Sequence, residues 1–403
     1  MSASSPWRQA LERQLAAMPQ TRRRQLRVLA SAPEARLLAV GTAAQPLLDL
    51  ASNDYLGLSR HRAVQAAAAA ELERSGVGSG ASRLVSGSRP VHQELEQRLA
   101  GWLGQEAVLL FPSGFQANLA AVGALADRHT LVLADRLIHH SLLAGVKGSG
   151  ARLERFAHNN LADLERRLAG ARQANPGRRL VVLSESLYSM EGTSPDVAAL
   201  AGCCARYGAA LLLDEAHALG VLGPGGRGLA YGLNGPGAEA LALISGTFGK
   251  AFGSGGAFLA GDALVMEWLL QSSGPFRYST ALAPPLAAGA LAALEWLENS
   301  EAMGNAPGTD LVLRAQRWRD GLAAAGWPRP PGEGPILPLL VGSDARALEL
   351  QARLEVAGLL AIAIRPPTVP EGLARLRLVL RRDLPVGTLP RLLDALGPAP
   401  AAR

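Results

Sequence analysis

The stretch "LLLDEAHALG", residues 211–220, decides the class of fold to which this chain can belong. Ala209 and Ala210 precede it, so an unbroken apolar run reaches Leu213 and ends at the acid Asp214. A short continuous apolar run of this kind predicts a central strand of a parallel sheet that is covered on both faces. Ligands of open α/β sheets bind at the carboxyl ends of the strands, so Asp214 is a candidate site residue. The alternative is that Asp214 only caps the following helix.

Strands and helices alternate on both sides of this stretch. The apolar segments "AVLLF", "TLVLAD", "ARLERF", "RRLVVLSES" and "LALISGTF" predict strands, and segments such as "LADLERRLA" predict helices between them. This pattern predicts an α/β fold whose large domain holds a mostly parallel sheet. After "YSTALAPPLAAGALAALEWLE" the pattern changes to a smaller α+β domain. We expect an N-terminal segment of residues 1–59 packed with the small domain, a large domain of residues 60–295 and the small domain at residues 296–403.

The composition limits the classes of function. The 403 residues, 48% of them hydrophobic, are enough for one large core and a smaller domain. A formal net charge of +6 could indicate nucleic-acid binding, but the arginine pairs are scattered and are not interleaved with aromatic residues. We therefore expect no nucleic-acid partner, and an anionic small substrate fits the charge equally well. Cys203 and Cys204 are neighbours, which suits neither a structural disulfide nor a metal site, so we expect buried thiols and no metal.

The N-terminal segment is rich in arginine but contains Glu12 and has no apolar signal core. Leucine and methionine residues near helical spacing predict an amphipathic helix over residues 6–30. No run of about 18 apolar residues occurs, so we expect no membrane partner and a cytoplasmic protein.

Two segments look like nucleotide-binding motifs, but each lacks residues or flanking structure that its motif requires. "DEAH" followed by Gly249-Lys250 resembles a helicase, whose phosphate-binding loop has the pattern Gly-x-x-x-x-Gly-Lys-Ser/Thr. Here Ile244 replaces the first glycine of that pattern, and Ala251 replaces the serine or threonine. The lysine also follows "DEAH" in the chain, whereas in helicases it precedes the acidic motif. "GVGSGA", residues 76–81, matches a dinucleotide glycine pattern but follows a predicted helix instead of a strand. We interpret it as a loop.

The combination of Asp214, His217 and Lys250 suggests another cofactor. Alone, Lys250 would most often be a surface lysine and His217 a turn histidine. Together, in an α/β sheet, they suit pyridoxal phosphate, because a lysine can bond to its aldehyde and an acid can keep its ring nitrogen protonated.

The segments "FPSGFQANLAA" and "ADRLIHHSLL" complete this prediction. Ser113, Gly114 and Phe115 open a helix, whose free N–H groups and dipole favour a phosphate dianion. His139 stands where an aromatic ring could stack on the cofactor ring, although a buried core histidine is the alternative.

With these segments the chain resembles the α-oxoamine synthases, a fold-type I family of transferases that depend on pyridoxal phosphate. The resemblance covers nearly the whole chain. It rests on the segments "SNDYLGLS", "GSGASRLVSGS", "HQELEQRLAGWLG", "FPSGFQAN", "ADRLIHHSLL", "DEAHALGVLGPGGRG", "SGTFGKAFGSGGAF" and "YSTALAPP".

The resemblance implies a role for each matching position. Lys250 would bond to the cofactor aldehyde and act as the catalytic base, and Asp214 would hold the ring nitrogen. The other residues that would contact the cofactor are Gly114, Phe115, Ser189, His217 and Thr247. His139 would stack on the ring beside the substrate, and Thr368 would also lie beside the substrate. For the substrate arginine we favour Arg27 over Arg22.

Within the family, "IRPPTVPEGLARLRL" (residues 364–378) is similar to the biotin-pathway members. This implies condensation of L-alanine with a pimeloyl thioester, carried by coenzyme A or by a carrier protein. The alternatives are another α-oxoamine synthase, with glycine or serine and a different acyl donor, and a non-catalytic protein that keeps the fold. The family also implies a homodimer, to which "GSGASRLVSGS" and "YSTALAPP" would contribute.

Overall fold

The computed structural model describes residues 5–33, 35–39 and 45–399. Contacts divide the chain into two units. The large unit is Asn53–Gln316 with Gly332–Pro335, and the small unit is Met1–Ser52, Arg317–Pro331 and Ile336–Arg403. The division therefore lies at 52/53 and 316/317, whereas the sequence suggested 59/60 and 295/296. Position 295 falls inside a single continuous helix, Pro284–Ala302, where a boundary would cut a hydrogen-bonded element.

Helices and strands alternate along much of the chain. The α-helices of the described residues are α1 (Pro6–Ala17), α2 (Arg62–Ser75), α3 (Pro90–Leu103), α4 (Gly114–Leu125), α5 (His140–Ser149), α6 (Leu161–Ala174), α7 (Val197–Arg206), α8 (Pro236–Ala240), α9 (Ala263–Ser272), α10 (Gly274–Arg277), α11 (Pro284–Ala302), α12 (Pro307–Ala324), α13 (Asp344–Val356) and α14 (Thr388–Leu396). The strands are β1 (Leu29–Ala32), β2 (Arg36–Ala39), β3 (Leu47–Asp49), β4 (Ala107–Phe111), β5 (Leu131–Asp135), β6 (Arg152–Phe156), β7 (Leu180–Glu185), β8 (Ala209–Asp214), β9 (Leu241–Thr247), β10 (Ala257–Gly261), β11 (Ile336–Gly342), β12 (Leu359–Leu360), β13 (Ile362–Ile364) and β14 (Ala374–Val379).

The large unit is built on a seven-stranded sheet with the order β4-β10-β9-β8-β7-β5-β6. Strands β6, β5, β7, β8 and β9 pair in parallel, as the alternating pattern predicted. Strand β10 was not predicted, and it is antiparallel to both β9 and β4. Only residues 248–256 join β9 to β10, too few for the crossover of about a dozen or more residues that parallel neighbours need.

The core of the large unit lies between this sheet and its helices. It includes Val132, Leu183 and Leu212 from the central strands and Val122 and Leu142 from α4 and α5, each of them fully buried. Cys203 and Cys204 are buried on α7, as the sequence predicted. No helix among the described residues is both long and apolar enough to cross a bilayer.

The small unit contains two sheets, with the orders β1-β2-β3-β12 and β11-β14-β13. Strands β1 and β2 form a hairpin, and β14 is antiparallel to both of its neighbours. The predicted helix over residues 6–30 is wrong beyond residue 17. Helix α1 ends two residues before Pro19, which has no N–H to continue the helix, and residues 29–32 pair with β2 instead.

Candidate active site

The carboxyl edge of the large sheet gathers four polar residues. Asp135, Glu185, Asp214 and Thr247 are the last residues of β5, β7, β8 and β9. Glu185 and Asp214 are direct partners in the register of β7 and β8, and Asp214 is paired with Ser245 on β9. Because parallel strands end at the same edge of a sheet, these side chains share one surface of the large unit.

Asp214 is buried, and both of its carboxylate oxygens accept hydrogen bonds. Asn118 Nδ2 donates to Oδ2 at 2.8 Å, and the Ala216 N–H donates to Oδ1 at 2.9 Å. The second bond is the local turn contact that a capping residue would make. The first bond comes from helix α4, so the Asp214 carboxylate is held by a side chain of a neighbouring element as well as by its own turn.

Asn118 was not singled out from the sequence. It lies one turn after the start of α4, and its Nδ2 also donates to Ser141 Oγ at 2.9 Å. Within the part of the chain that the structure describes, its buried Oδ1 has no hydrogen-bond partner. The segment "FPSGFQAN" indicates a helix start at its glycine, but nothing local indicates that its asparagine reaches a residue 96 positions away.

His139 caps the N-terminus of α5 and faces the same edge. Its Nδ1 lies 2.7 Å from Ser141 Oγ, and its backbone N–H donates to Glu185 Oε1 at 2.6 Å. Burial lowers the pKa of His139, the charge of Asp214 opposes this shift, and Lys250 adds to it. The imidazole is therefore neutral at pH 7, which suits a ring that stacks instead of one that forms an ion pair.

Lys250 lies in the turn that follows β9, where the Gly253 N–H donates to its carbonyl oxygen at 2.9 Å. Its charge lowers the pKa of His139 and opposes the rise in the pKa of Glu185, which burial and then Asp214 raise well above the ordinary value. Lys250 follows the last residue of β9 by three positions, and β9 pairs in parallel with β8, so its turn lies at the same carboxyl edge as Asp214. Lys250, Asp214 and His139 thus belong to elements that meet at one edge of the sheet. That the three act together on a cofactor stays a prediction.

The start of α4 and the end of β9 lie side by side. Ser113 caps the helix, since its Oγ accepts the Gln116 N–H at 3.3 Å. A Cβ placed on Gly114 would stand 3.8 Å from Thr247 Oγ1, so a glycine and a hydroxyl meet at the helix N-terminus. Thr247 Oγ1 also accepts the Gly249 N–H at 3.2 Å. The Thr247 hydroxyl in turn donates to the Gly256 carbonyl at 3.0 Å, so the donors here that suit a phosphate group are the N–H groups in the first turn of α4.

His217 has a partner from the segment "SNDYLGLS". Tyr55, which is fully buried, places its hydroxyl 2.6 Å from His217 Nδ1. Sequence reasoning did not assign Tyr55, because the two residues are 162 positions apart. Ser189 lies in a short turn after β7, and its role toward a cofactor stays a prediction.

The predicted substrate residues Arg27 and Thr368 belong to the small unit. Arg27 binds Glu355 through two hydrogen bonds of 2.6 and 3.3 Å. The Thr368 hydroxyl accepts a hydrogen bond of 3.0 Å from Arg24, which the sequence did not single out. The alternative Arg22 pairs with Asp344 and Glu371. The roles of Arg27 and Thr368 toward a substrate stay predictions.

The set of groups in the large unit fits pyridoxal phosphate. Asp214 is a buried acceptor for a protonated ring nitrogen, and Lys250 is an amine for the aldehyde. The neutral His139 offers a flat face, and the N-terminus of α4 beside Thr247 offers donors for the phosphate. Among the described residues, no cluster of side chains is suited to hold a metal ion.

Comparisons with known proteins agree with this arrangement. The family model described as aminotransferase class I and II matches residues 45–396. The 8-amino-7-oxononanoate synthase of Gluconacetobacter diazotrophicus is 46% identical over 357 residues, which cover 87% of each chain.

Solved structures show the same likeness. A serine palmitoyltransferase from S. paucimobilis, solved with a bound adduct of PLP and myriocin, is 26% identical with a TM-score of 0.85, covering 92% of this chain and 91% of that one. The 8-amino-7-oxononanoate synthase of Francisella tularensis is 26% identical with a TM-score of 0.72, covering 87% of this chain and 96% of that one.

Proposed function

The chain belongs to the family of class I and II aminotransferases, and we propose that it is an 8-amino-7-oxononanoate synthase of the α-oxoamine synthase group. The reaction is a decarboxylative condensation of L-alanine with a pimeloyl thioester. The identity of 46% to a relative of that name, over 87% of both chains, supports this choice. The observation that carries the chemistry is that Asp214, the turn that contains Lys250 and the backbone of His139 lie at one carboxyl edge of the sheet.

The cofactor is pyridoxal phosphate, consistent with the fit of the site and with the PLP-bound relative. When bound, it supplies an aldehyde that bonds covalently to amines and a protonated ring that accepts electrons from the substrate. The N-terminus of α4 and Thr247 would hold its phosphate. Asp214 would keep the proton on its ring nitrogen, and Asn118 holds the Asp214 carboxylate through its hydrogen bond.

The residues of this chain then divide the work on the substrate. Lys250 Nζ takes the α-proton of alanine, for which the amine must be in its neutral form. His139, neutral and fixed by Ser141 and Glu185, limits the motion of the bound groups beside it. The deprotonated α-carbon attacks the thioester carbonyl, and the thiolate leaves and takes up a proton. The β-keto acid then loses CO₂, and the α-carbon takes up a proton in its place.

The test of this proposal is product identification with purified protein. Pimeloyl-CoA and a pimeloyl carrier protein are each supplied with L-alanine, and the product is identified by mass together with CO₂ release. We expect 8-amino-7-oxononanoate from at least one donor. If succinyl-CoA with glycine has a higher kcat/KM than either pimeloyl donor with alanine, the substrate assignment is wrong.

A second candidate is suggested by the likeness to serine palmitoyltransferase, which would use serine and a long acyl chain. Its lower identity, 26% against 46%, makes it the weaker proposal. Serine with palmitoyl-CoA belongs in the same assay.

The variants Thr368→Ala and Thr368→Ser test the substrate loop. If Thr368 lies beside the substrate, removal of its hydroxyl lowers the preference for pimeloyl-CoA, and the serine variant retains it.

We also propose that the protein is a homodimer through the segments "GSGASRLVSGS" (78–88) and "YSTALAPP" (278–285). These segments lie together, because the Ala281 N–H donates to the Ala81 carbonyl at 2.9 Å. Their exposed apolar side chains include Leu84, Val85 and Tyr278. Light scattering should show a dimer that Val85→Asp weakens. Leu264→Asp, at an equally exposed position on α9, serves as the control.

A further inference from the structure

A group of three polar side chains in the large unit has no role in the proposal above. His158 Nδ1 lies 3.1 and 3.2 Å from the two carboxylate oxygens of Asp135. The other ring nitrogen, Nε2, lies 2.8 Å from Thr193 Oγ1. The three residues thus form a continuous chain of contacts from the end of β5 to the segment that follows β7.

The protonation of this group follows from the environment of Asp135. Burial by itself would raise the pKa of Asp135, but the hydrogen bonds from His158, Leu137 N–H and Asn159 N–H outweigh burial and hold this pKa below its ordinary value. An ionised carboxylate only accepts hydrogen bonds, so the Nδ1 of His158 carries a proton and donates it. The ring orientation is thereby fixed, and Nε2 meets the Thr193 hydroxyl.

His158 contacts both ends of a short turn, residues 188–193. The turn is closed by hydrogen bonds from Tyr188 N–H to the Thr193 carbonyl at 2.9 Å and from Gly192 N–H to the Tyr188 carbonyl at 2.8 Å. At one end His158 meets Thr193, and at the other it packs perpendicular to the buried ring of Tyr188 with centroids 4.5 Å apart. Ser189 lies between these two anchors.

We propose that His158 is a positioning residue, which Asp135 orients and which, by holding Thr193 and Tyr188, sets the place of Ser189 against the cofactor ring. This inference rests on the proposed function, because the contact of Ser189 with the cofactor is part of that proposal. A purely structural histidine would affect the stability of the fold without acting through Ser189. The two roles therefore differ in their effect on the bound cofactor.

The experiment measures the affinity for pyridoxal phosphate and the absorption maximum of the bound cofactor. The variants are His158→Gln, Thr193→Val, Ser189→Ala and the double variants that combine each of the first two with the third. Thr193→Val keeps the volume of the side chain and removes only its hydroxyl. Thr193→Ser is the matched control that retains the hydroxyl.

We expect Ser189→Ala to weaken cofactor binding and to move the absorption maximum. His158→Gln and Thr193→Val should act in the same direction, with affinity reduced about 5- to 20-fold, as loss of a partner in a part-buried hydrogen bond predicts. Thr193→Ser should resemble the wild type. In the Ser189→Ala background, His158→Gln or Thr193→Val should lower the affinity for pyridoxal phosphate by less than about a further twofold. The effects of residues that act through one another are not additive.

Two results would overturn this inference alone: wild-type affinity and spectrum in Thr193→Val, or effects that multiply fully in the double variants. If His158→Gln does not fold, the Thr193 variants decide the question. A wild-type protein that takes up no pyridoxal phosphate would refute the proposed function and this inference with it.

Discussion

Asn118 on helix α4 donates a hydrogen bond of 2.8 Å to Asp214, the last residue of strand β8. The same Nδ2 holds Ser141, and the residue is buried. Asn118→Ala should leave the Asp214 carboxylate with one donor fewer and free to turn away from the ring nitrogen of the cofactor. We expect alanine α-proton exchange, measured by NMR in D₂O without acyl donor, to fall about tenfold. Unchanged exchange would show that Ala216 N–H alone is enough to hold the carboxylate.

Asp214→Asn tests the charge of the residue with little change of shape. The ring nitrogen of the cofactor would lose the partner that keeps its proton, so α-proton exchange should fall on the order of 10²–10³-fold. Asp196→Asn is the matched control, because Asp196 caps α7 through the Ala199 N–H and asparagine caps equally well. Exchange at the wild-type rate in Asp214→Asn would show that the charge of Asp214 has no role in the reaction and that the residue only caps the turn that follows β8.

Lys250 and Lys147 are the two lysines of the chain, which makes the covalent attachment simple to map. Borohydride should fix the cofactor on the peptide that contains Lys250. Lys250→Ala should still bind pyridoxal phosphate but lose turnover, because the attachment and the base are removed together. Lys147→Ala, an exposed position on α5, should behave as wild type. Turnover near the wild-type level in Lys250→Ala would contradict both roles.

His92 makes the stability of the large unit depend on pH. Its Nδ1 accepts the Arg89 N–H at 3.0 Å and its Nε2 donates to the Leu282 carbonyl at 2.8 Å, so the ring is neutral. Burial, aided by Arg83 and Arg89 and opposed by Glu71 and the bond to Leu282, lowers its pKa to about 4. Between this value and the ordinary 6.5, the unfolded chain binds a proton that the folded chain does not, so stability falls as the pH falls through this window.

The measurement is the difference in Tm between wild type and His92→Gln from pH 7.5 to 4.5. The wild type should lose its advantage over the variant as the pH falls, because only the wild type must keep a buried histidine uncharged. The exposed His129→Gln is the control and should run parallel to the wild type. If the Tm of His92→Gln differed from that of the wild type by the same amount at every pH, His92 would not be the source of the pH dependence of stability.

Gly253 ends the turn that contains Lys250 and packs closely against the backbone of the segment "SNDYLGLS". It has φ +61°, and a Cβ there would stand 2.1 Å from the Ser59 nitrogen. Gly253→Ala should therefore lower stability by at least about 2 kcal/mol, since the clash is with backbone and cannot relax by a rotamer change. Gly249→Ala is the control in the same turn, where the nearest atom is 3.6 Å away. Equal Tm values for the two variants would contradict the close approach.

The sequence by itself indicated a mostly parallel sheet of apolar strands, the helix start at Gly114 and the candidate residues Asp214 and Lys250. These features are local: an unbroken apolar run, a turn residue or a strand end can be recognised within about ten positions, because side-chain periodicity and backbone preference act at short range.

Only the tertiary structure decided which side chains meet. The contacts of Asn118 with Asp214, Tyr55 with His217, and Arg24 with Thr368 join residues 96, 162 and 344 positions apart. The antiparallel direction of β10 was likewise set by the length of its connection to β9, and the strand at residues 29–32 by its pairing with β2. The order of strands in a sheet and the packing of helices on it determine such pairs, and no local pattern carries that information.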